Sequence, residues 1–190
     1  SAGEIPGAVA LVARKGKVVY RKPFGFRAEE PTLEPMTLDS IFDVASMTKV
    51  MVTAPSIMIL VEEGRLSLLD EVVDYIPEFK KRGKGKITIL QLLTHFSGLR
   101  PDLDMKPEWK GYDEAIRLAC LEKPVEPPGS KFIYSDINYF VLGDIVQRVS
   151  GQSLEEFAWE RIFDPLGMGD TTFHPDAEQR KRLAALYAPG

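Results

Sequence analysis

The chain has 190 residues, 44% hydrophobic and 27% charged, which is enough apolar material for a sizeable core in one domain or one plus part of another. Its net charge of −4 comes from intermixed acids and bases, so the positive field that a polyanion needs is missing and nucleic acid is excluded as a partner. The longest apolar stretch, from Val50 to Val61, is broken by Thr53, Pro55 and Ser56 and is too short to span a bilayer. Cys120 is the one cysteine, so no intrachain disulfide can form; a buried, inert thiol is expected in its apolar helical setting. A secreted protein need not carry disulfides, which leaves the compartment, periplasmic or secreted against cytoplasmic, undetermined.

In chain order, Ala8–Ala13 and Val18–Tyr20 alternate around an Arg14–Lys17 turn and predict a β-hairpin. A Pro- and Thr-rich loop is expected to about Ser40. Helical spacing then runs from Ser46 to Glu63, with Gly64 as its stop and Pro55 as an internal kink or break. A short turn and short helix are expected between Leu66 and Pro77. Lys80–Lys86, basic and punctuated by glycine, reads as a solvated loop. Thr88 with Gln91 and Ser153 with Glu156 are capping boxes that open two helices, the first running into His95 and stopping near Gly98, the second ending before Pro165. Between them lie a helix over Tyr112–Leu121, a Pro127-Pro128-Gly129 turn, a short extended piece from Lys131 to Tyr134, and an amphipathic helix from Ile137 to Val149. Two strands cannot make a stable sheet alone, so the chain reads as incomplete, or its hairpin as packing on something outside it.

Two groups of residues carry chemistry. Ser46 and Lys49 share a helix face at i and i+3, so the lysine amine can reach the serine hydroxyl. A serine hydroxyl is a weak nucleophile and needs such a base. Burial and the positive helix end are both expected to lower the Lys49 pKa toward the range of a useful base, and the Ser46 N–H is expected to serve as one oxyanion donor. The spacing by itself is weak, since one chance Ser-x-x-Lys is expected about half the time at average residue usage. The bland reading makes Ser46 an N-cap and Lys49 a snorkelling surface residue. Against it stands the uncharged run around Lys49, where a lysine requires a partner. Further on, Tyr134-Ser135-Asp136 joins an extended piece to a helix start. There Tyr134 can deliver its hydroxyl to a cleft and Asp136 can cap the helix, bind substrate, or do both.

Together these groups resemble the serine β-lactamase-like and penicillin-binding-protein family, class C type, which includes D-Ala-D-Ala carboxypeptidases, D-aminopeptidases and carboxylesterases. The resemblance rests on Ile41–Lys49, Leu92–Leu99, Pro128-Gly129 with Phe132–Asp136, Tyr139 with Val141–Gly143, and Pro165–Met168. It implies an α/β fold, an antiparallel sheet flanked by helices plus a mostly helical domain. Residues 1–60 would hold two strands and the nucleophile helix, residues 61–190 the helical domain, and the later strands would be missing. It also implies Ser46 as the acylated nucleophile, Lys49 as its base and Tyr134 as partner acid or base, on an ester, a β-lactam or a D-residue peptide.

Asp136 is a departure, for the family often has asparagine there; an aspartate only accepts hydrogen bonds, which favours esterase or peptidase chemistry over amide-side-chain binding. The register that would align Asn138 with the asparagine of class A relatives is displaced by Ile137. The family's third element, a Lys- or His-headed triplet ending in glycine, is not found, so the remainder of the chain would be needed to complete the site. No cofactor is implied. His95 and His174 lack companions at metal-ligand spacing, and a Ser-His-Asp triad on His95 is the weaker alternative enzyme. A non-catalytic binding or scaffold protein that keeps the fold is the alternative from another class, motivated by Asp136 and the missing element.

Overall fold

The computed structural model describes residues 5–187. The chain divides into two compact units, Ser46–Gly169 and the sequence before and after it. These bounds differ from a division at residue 60. The helix that follows Ser46 packs within the helical unit, and the residues from Asp170 onward return to the sheet.

The sheet unit is built on β1 (Gly7–Arg14) and β2 (Lys17–Ala28), antiparallel around a Lys15-Gly16 turn with φ of 50° and 74°. Two successive positive φ values give the turn the twist that hairpins prefer. The sequence reading ended the second strand at Tyr20 and placed a loop after it, whereas β2 continues through Pro23 and Gly25 and pairs with a third strand, β3 (Glu34–Pro35). Pro23 is tolerated because it faces Val9 of β1 at a level that β3 does not reach, so β2 is an edge there. Leu11, Val12, Val18 and Val19 remain exposed on the hairpin. Ile41 bridges Leu183, Ala184 N–H donates to the Ile41 carbonyl at 2.8 Å and Arg182 to the Asp39 carbonyl at 3.2 Å, which returns the later segment to this unit. At its edge Ala45 adopts a positive φ of 43°, its N–H held by the Asp43 carboxylate at 2.8 Å. A non-glycine residue in this region is strained, and it directly precedes Ser46 in sequence.

In the helical unit a π-helical turn, Lys49–Thr53, leads into α1 (Ala54–Glu62). The expected break at Pro55 takes this form. Ala54 N–H reaches back five residues to the Lys49 carbonyl, and the proline sits in the first turn of α1, where its missing N–H costs nothing. At the other end Gly64, with φ of 69°, closes a Schellman motif: its N–H bonds the Val61 carbonyl and Arg65 N–H the Leu60 carbonyl. Helix α2 (Ile89–Leu93) has the expected Thr88–Gln91 capping box but stops at Leu93, before His95. Helix α3 spans Tyr112–Leu121, α4 Asp136–Ser150 and α5 Leu154–Ala158, the last opened by the Ser153–Glu156 box and extended by a π turn, Trp159–Phe163. Ile57 and Leu60 of α1, Leu92 of α2 and Val141 and Ile145 of α4 are fully buried in one core. Across it Asp144 of α4 accepts from Tyr112 of α3 at 2.7 Å and from Arg148 at 2.9 Å.

The basic run Lys80–Lys86 is not a solvated loop throughout. It begins in a 3₁₀ segment, Pro77–Gly83, and Lys84 is fully buried. Its ammonium donates to the carbonyls of Lys81 at 3.0 Å, Cys120 at 2.9 Å and Glu122, and lies 4.9 Å from the Phe79 ring centroid. Three N–H donors thus meet three acceptors, two of them at the end of α3, where a helix carries negative charge. Burial lowers the Lys84 pKa to about 8. Cys120, buried beside it as expected, has its pKa pushed up to about 11 by burial. Lys84→Met strands these carbonyls away from water and is expected to cost about 2–4 kcal/mol in urea unfolding. Lys86→Met, at an exposed position, should stay within about 0.5 kcal/mol; equal effects would contradict the pinning role.

Candidate active site

Ser46, Lys49, Tyr134 and Asp136 meet within the helical unit. Ser46 is exposed, and the Lys49 Nζ donates to its Oγ at 3.2 Å, as helix spacing predicted. Lys49 is no snorkelling surface residue, its side chain being only 13% exposed. Its Nζ lies 2.5 Å from Asp136 Oδ1 and 5.1 Å from the Tyr134 ring centroid, with the Tyr139 ring at 5.7 Å. Asp136 Oδ1 is out of water, and among the described residues the lysine ammonium is its counter-ion, with no other donor reaching it.

Two expectations are corrected here. Asp136 does not cap α4; Ser135 occupies the N-cap position and Asp136 is the first helical residue, its carboxylate turned to Lys49. Negative charge is favoured at that helix end. The Lys49 pKa is raised, not lowered toward neutrality. Burial is the largest single influence and acts downward, but hydrogen bonds to Asp136 and Tyr134, with the attraction of the aspartate charge, together outweigh it. Lys49 is therefore an ammonium. Tyr134 shifts the other way: hydrogen bonds to Ser46 and then to Lys49 hold its hydroxyl below the ordinary tyrosine value. In this cluster the group poised to give up its proton is the tyrosine.

The loop after α2 supports this corner. Gly98, with φ of 75°, lets its carbonyl accept from Val125 N–H at 2.8 Å, and a Cβ there would lie 2.1 Å from the Glu126 carbonyl oxygen. Phe96 carbonyl accepts from Gly129 N–H at 2.7 Å, Pro101 carbonyl from Asp136 N–H at 2.7 Å and Arg100 carbonyl from Ser135 Oγ at 2.6 Å. His95 is not part of a Ser-His-Asp triad. Its Nδ1 accepts from Ser135 N–H at 3.1 Å and faces Asn138 Nδ2 at 3.3 Å, with no serine hydroxyl or carboxylate hydrogen-bonded to the ring among the described residues. The sequence analysis weighs Asn138 only for a displaced register and gives Tyr139 no role in the site; the i, i+3 spacing of Asp136 and Tyr139 is the signal that brings the ring to this corner, whereas buried Asn138 has no such signal.

A hydroxyl, an ammonium, a perturbed phenol and a carboxylate thus meet in one corner. The beta-lactamase family model matches residues 1–190, and the chain belongs to that family. It is 32% identical over 191 residues to a putative D-alanyl-D-alanine carboxypeptidase of Escherichia coli K12, covering 90% of this chain and 44% of that protein. Among solved structures it resembles the octameric penicillin-binding protein homologue from Pyrococcus abyssi (36% identity, TM-score 0.81, 95% of this chain and 43% of that one). A class C beta lactamase also superposes, at 30% identity and TM-score 0.80 over 95% of this chain and 49% of the other. The fold is β-lactamase/transpeptidase-like, and the chain spans less than half the length of these relatives.

Asp136→Asn removes the anion that keeps Lys49 charged. Lysine-selective NMR titration is expected to find the Lys49 ionisation at lower pH in the variant than in the wild-type protein. An unmoved titration would mean that the ion pair does not set the charge of Lys49.

Proposed function

We propose that the protein is a serine hydrolase that works through an acyl-enzyme on Ser46, with Tyr134 as its general base and acid. The observation that carries this reading is geometric: the Lys49 Nζ donates to the exposed Ser46 Oγ at 3.2 Å, lies 2.5 Å from Asp136 Oδ1 and sits 5.1 Å from the Tyr134 ring centroid, and the opposed pKa directions of Tyr134 and Lys49 fit it. Tyr134 takes the Ser46 proton as Oγ bonds to the substrate carbonyl carbon, and the carbonyl oxygen becomes an oxyanion. The Ser46 backbone N–H, in the turn just before the first helical residue, Met47, supplies one donor to it. Collapse of the intermediate breaks the bond to the leaving alcohol or amine, which receives the proton from Tyr134. Water then repeats the sequence in reverse roles: Tyr134 takes its proton, and Ser46 leaves with that proton restored. Whenever Tyr134 is deprotonated the Lys49 ammonium stabilises its phenolate, and Asp136 favours the charged form of Lys49.

The substrate class that fits is an ester, a β-lactam or a peptide ending in a D-residue. Asp136, engaged with Lys49 and able only to accept, gives no support to recognition of an amide side chain through its oxygen, which favours the esterase or peptidase branch. A scaffold without activity gives no account of a buried counter-ion aimed at the lysine beside an exposed serine.

A fluorophosphonate probe applied to the intact protein should label Ser46, and Ser46→Ala should abolish labelling. Tyr134→Phe should slow it by about 10²–10⁴-fold, the usual span of general-base contributions. Since a base acts when deprotonated, the wild-type rate should climb with pH through an ionisation below the ordinary tyrosine value. A folded, intact protein that stays unlabelled would overturn the proposal. Parallel assays with p-nitrophenyl esters, nitrocefin and D-alanyl peptides rank the substrates.

A further inference from the structure

His95 is the residue on which the surroundings of Tyr134 converge. It follows α2 in a left-handed conformation, φ of 61°, that strains a non-glycine residue. Something must hold it there, and three contacts do. Its carbonyl accepts from Ile133 N–H at 2.9 Å, its Nδ1 accepts from Ser135 N–H at 3.1 Å, and its ring lies against the Tyr134 ring with centroids 4.6 Å apart and planes at 31°. The residues on both sides of Tyr134 are thus bonded to His95 while the phenol rests on the imidazole face.

The imidazole is itself fixed in one tautomer. Nδ1 faces a second donor, Asn138 Nδ2, at 3.3 Å. The other amide atom of Asn138, Oδ1, accepts from Ser97 Oγ at 2.6 Å, and Ser97 Oγ accepts from Leu99 N–H at 3.1 Å. Asn138 and Ser97 are fully buried and His95 nearly so. With two N–H donors directed at Nδ1, the ring proton sits on Nε2. His95 Nδ1, Asn138 Oδ1 and Ser97 Oγ each have a partner, and such a buried polar network is rigid.

We infer that neutral His95 is a positioning residue for Tyr134, clamping the peptide on either side of it and backing its ring so that the phenol oxygen stays on Ser46 and Lys49. The inference rests on the reading of Tyr134 as proton acceptor. It also carries a charge condition, because a proton on Nδ1 would oppose the donors of Ser135 and Asn138. The groups around the ring are Lys49, Asp136, Tyr134 and Tyr139. Burial first and the Lys49 charge second hold the His95 pKa below its ordinary value, with Asp136 pulling the other way, so the ring stays neutral near pH 7.

The test compares three variants of the intact protein. His95→Asn puts a carbonyl acceptor close to the position of Nδ1 and tolerates positive φ; His95→Gln puts one near Nε2; His95→Phe keeps a ring with no acceptor. Ser46 labelling by a fluorophosphonate is followed against pH, with circular dichroism and thermal unfolding as folding controls. Gln and Phe should lower the rate about 100-fold, the size expected for a misplacement of about 1 Å, and should shift the rising limb assigned to Tyr134 to higher pH. Asn should stay within about 10-fold and keep the wild-type limb.

Folded Gln or Phe variants that label at the wild-type rate and pH dependence would overturn the inference, as would three equal losses with the limb unmoved. If Gln and Phe fail to fold, the Asn variant decides: a kept limb supports the clamp, and a shifted one in a folded protein overturns it. A wild-type protein that does not label defeats the underlying hydrolase reading, and the positioning role with it; a labelled wild type with indifferent variants defeats the positioning role alone.

Discussion

The candidate site turns on one buried charge. Lys49 sits at the start of a largely uncharged helix, and burial alone would lower its pKa. Asp136, brought to it at the first turn of α4, keeps it an ammonium, and that ammonium together with Ser46 draws the Tyr134 hydroxyl toward ionisation. Asp136 and Tyr134 both raise the Lys49 pKa, and Lys49 in turn lowers that of Tyr134. The partner of Asp136 thus lies inside the protein, its buried oxygen facing the Lys49 ammonium.

Holding an ion pair and a phenol in register requires a rigid floor, which the loop after α2 provides. Residues 95–101 and 132–138 are joined by hydrogen bonds at His95, Arg100 and Pro101, and Gly98 fastens the first loop to the segment before the Pro127-Pro128-Gly129 turn. The π turn at Lys49–Thr53 serves the same end from α1, ending where Pro55 can sit without breaking a hydrogen bond. Lys84 pins the end of α3 from beneath by a similar economy, one ammonium satisfying three carbonyls.

What the sequence disclosed was local. The Thr88–Gln91 and Ser153–Glu156 boxes, the Tyr112–Leu121 helix and the Gly64 stop are written in residues a few positions apart and appear as expected. Ser46 and Lys49 fell on one helix face for the same reason. Features that depend on distant partners were misread or missed. Lys84 looked solvated because two of its three acceptors lie 36 and 38 residues away. Asp136 looked like a cap because helix starts favour aspartate, whereas its carboxylate is claimed by a lysine on another helix. Lys49 was expected to lose its proton because helix position and burial are visible in sequence and a counter-ion is not. The run of β2 past Pro23 was hidden because proline reads as a loop signal unless the strand is known to be an edge.

The central claim is an order of ionisation: Tyr134 before Lys49. Tyrosine labelled with ¹³C at Cζ, with Tyr134→Phe to assign the resonance, reports it directly in an NMR titration of the intact protein, and lysine labelled at Cε reports Lys49 in the same sample. The account predicts that Tyr134 ionises below the ordinary tyrosine value while Lys49 is still an ammonium. Titration of Tyr134 at or above that value, or loss of the Lys49 proton first, would contradict it.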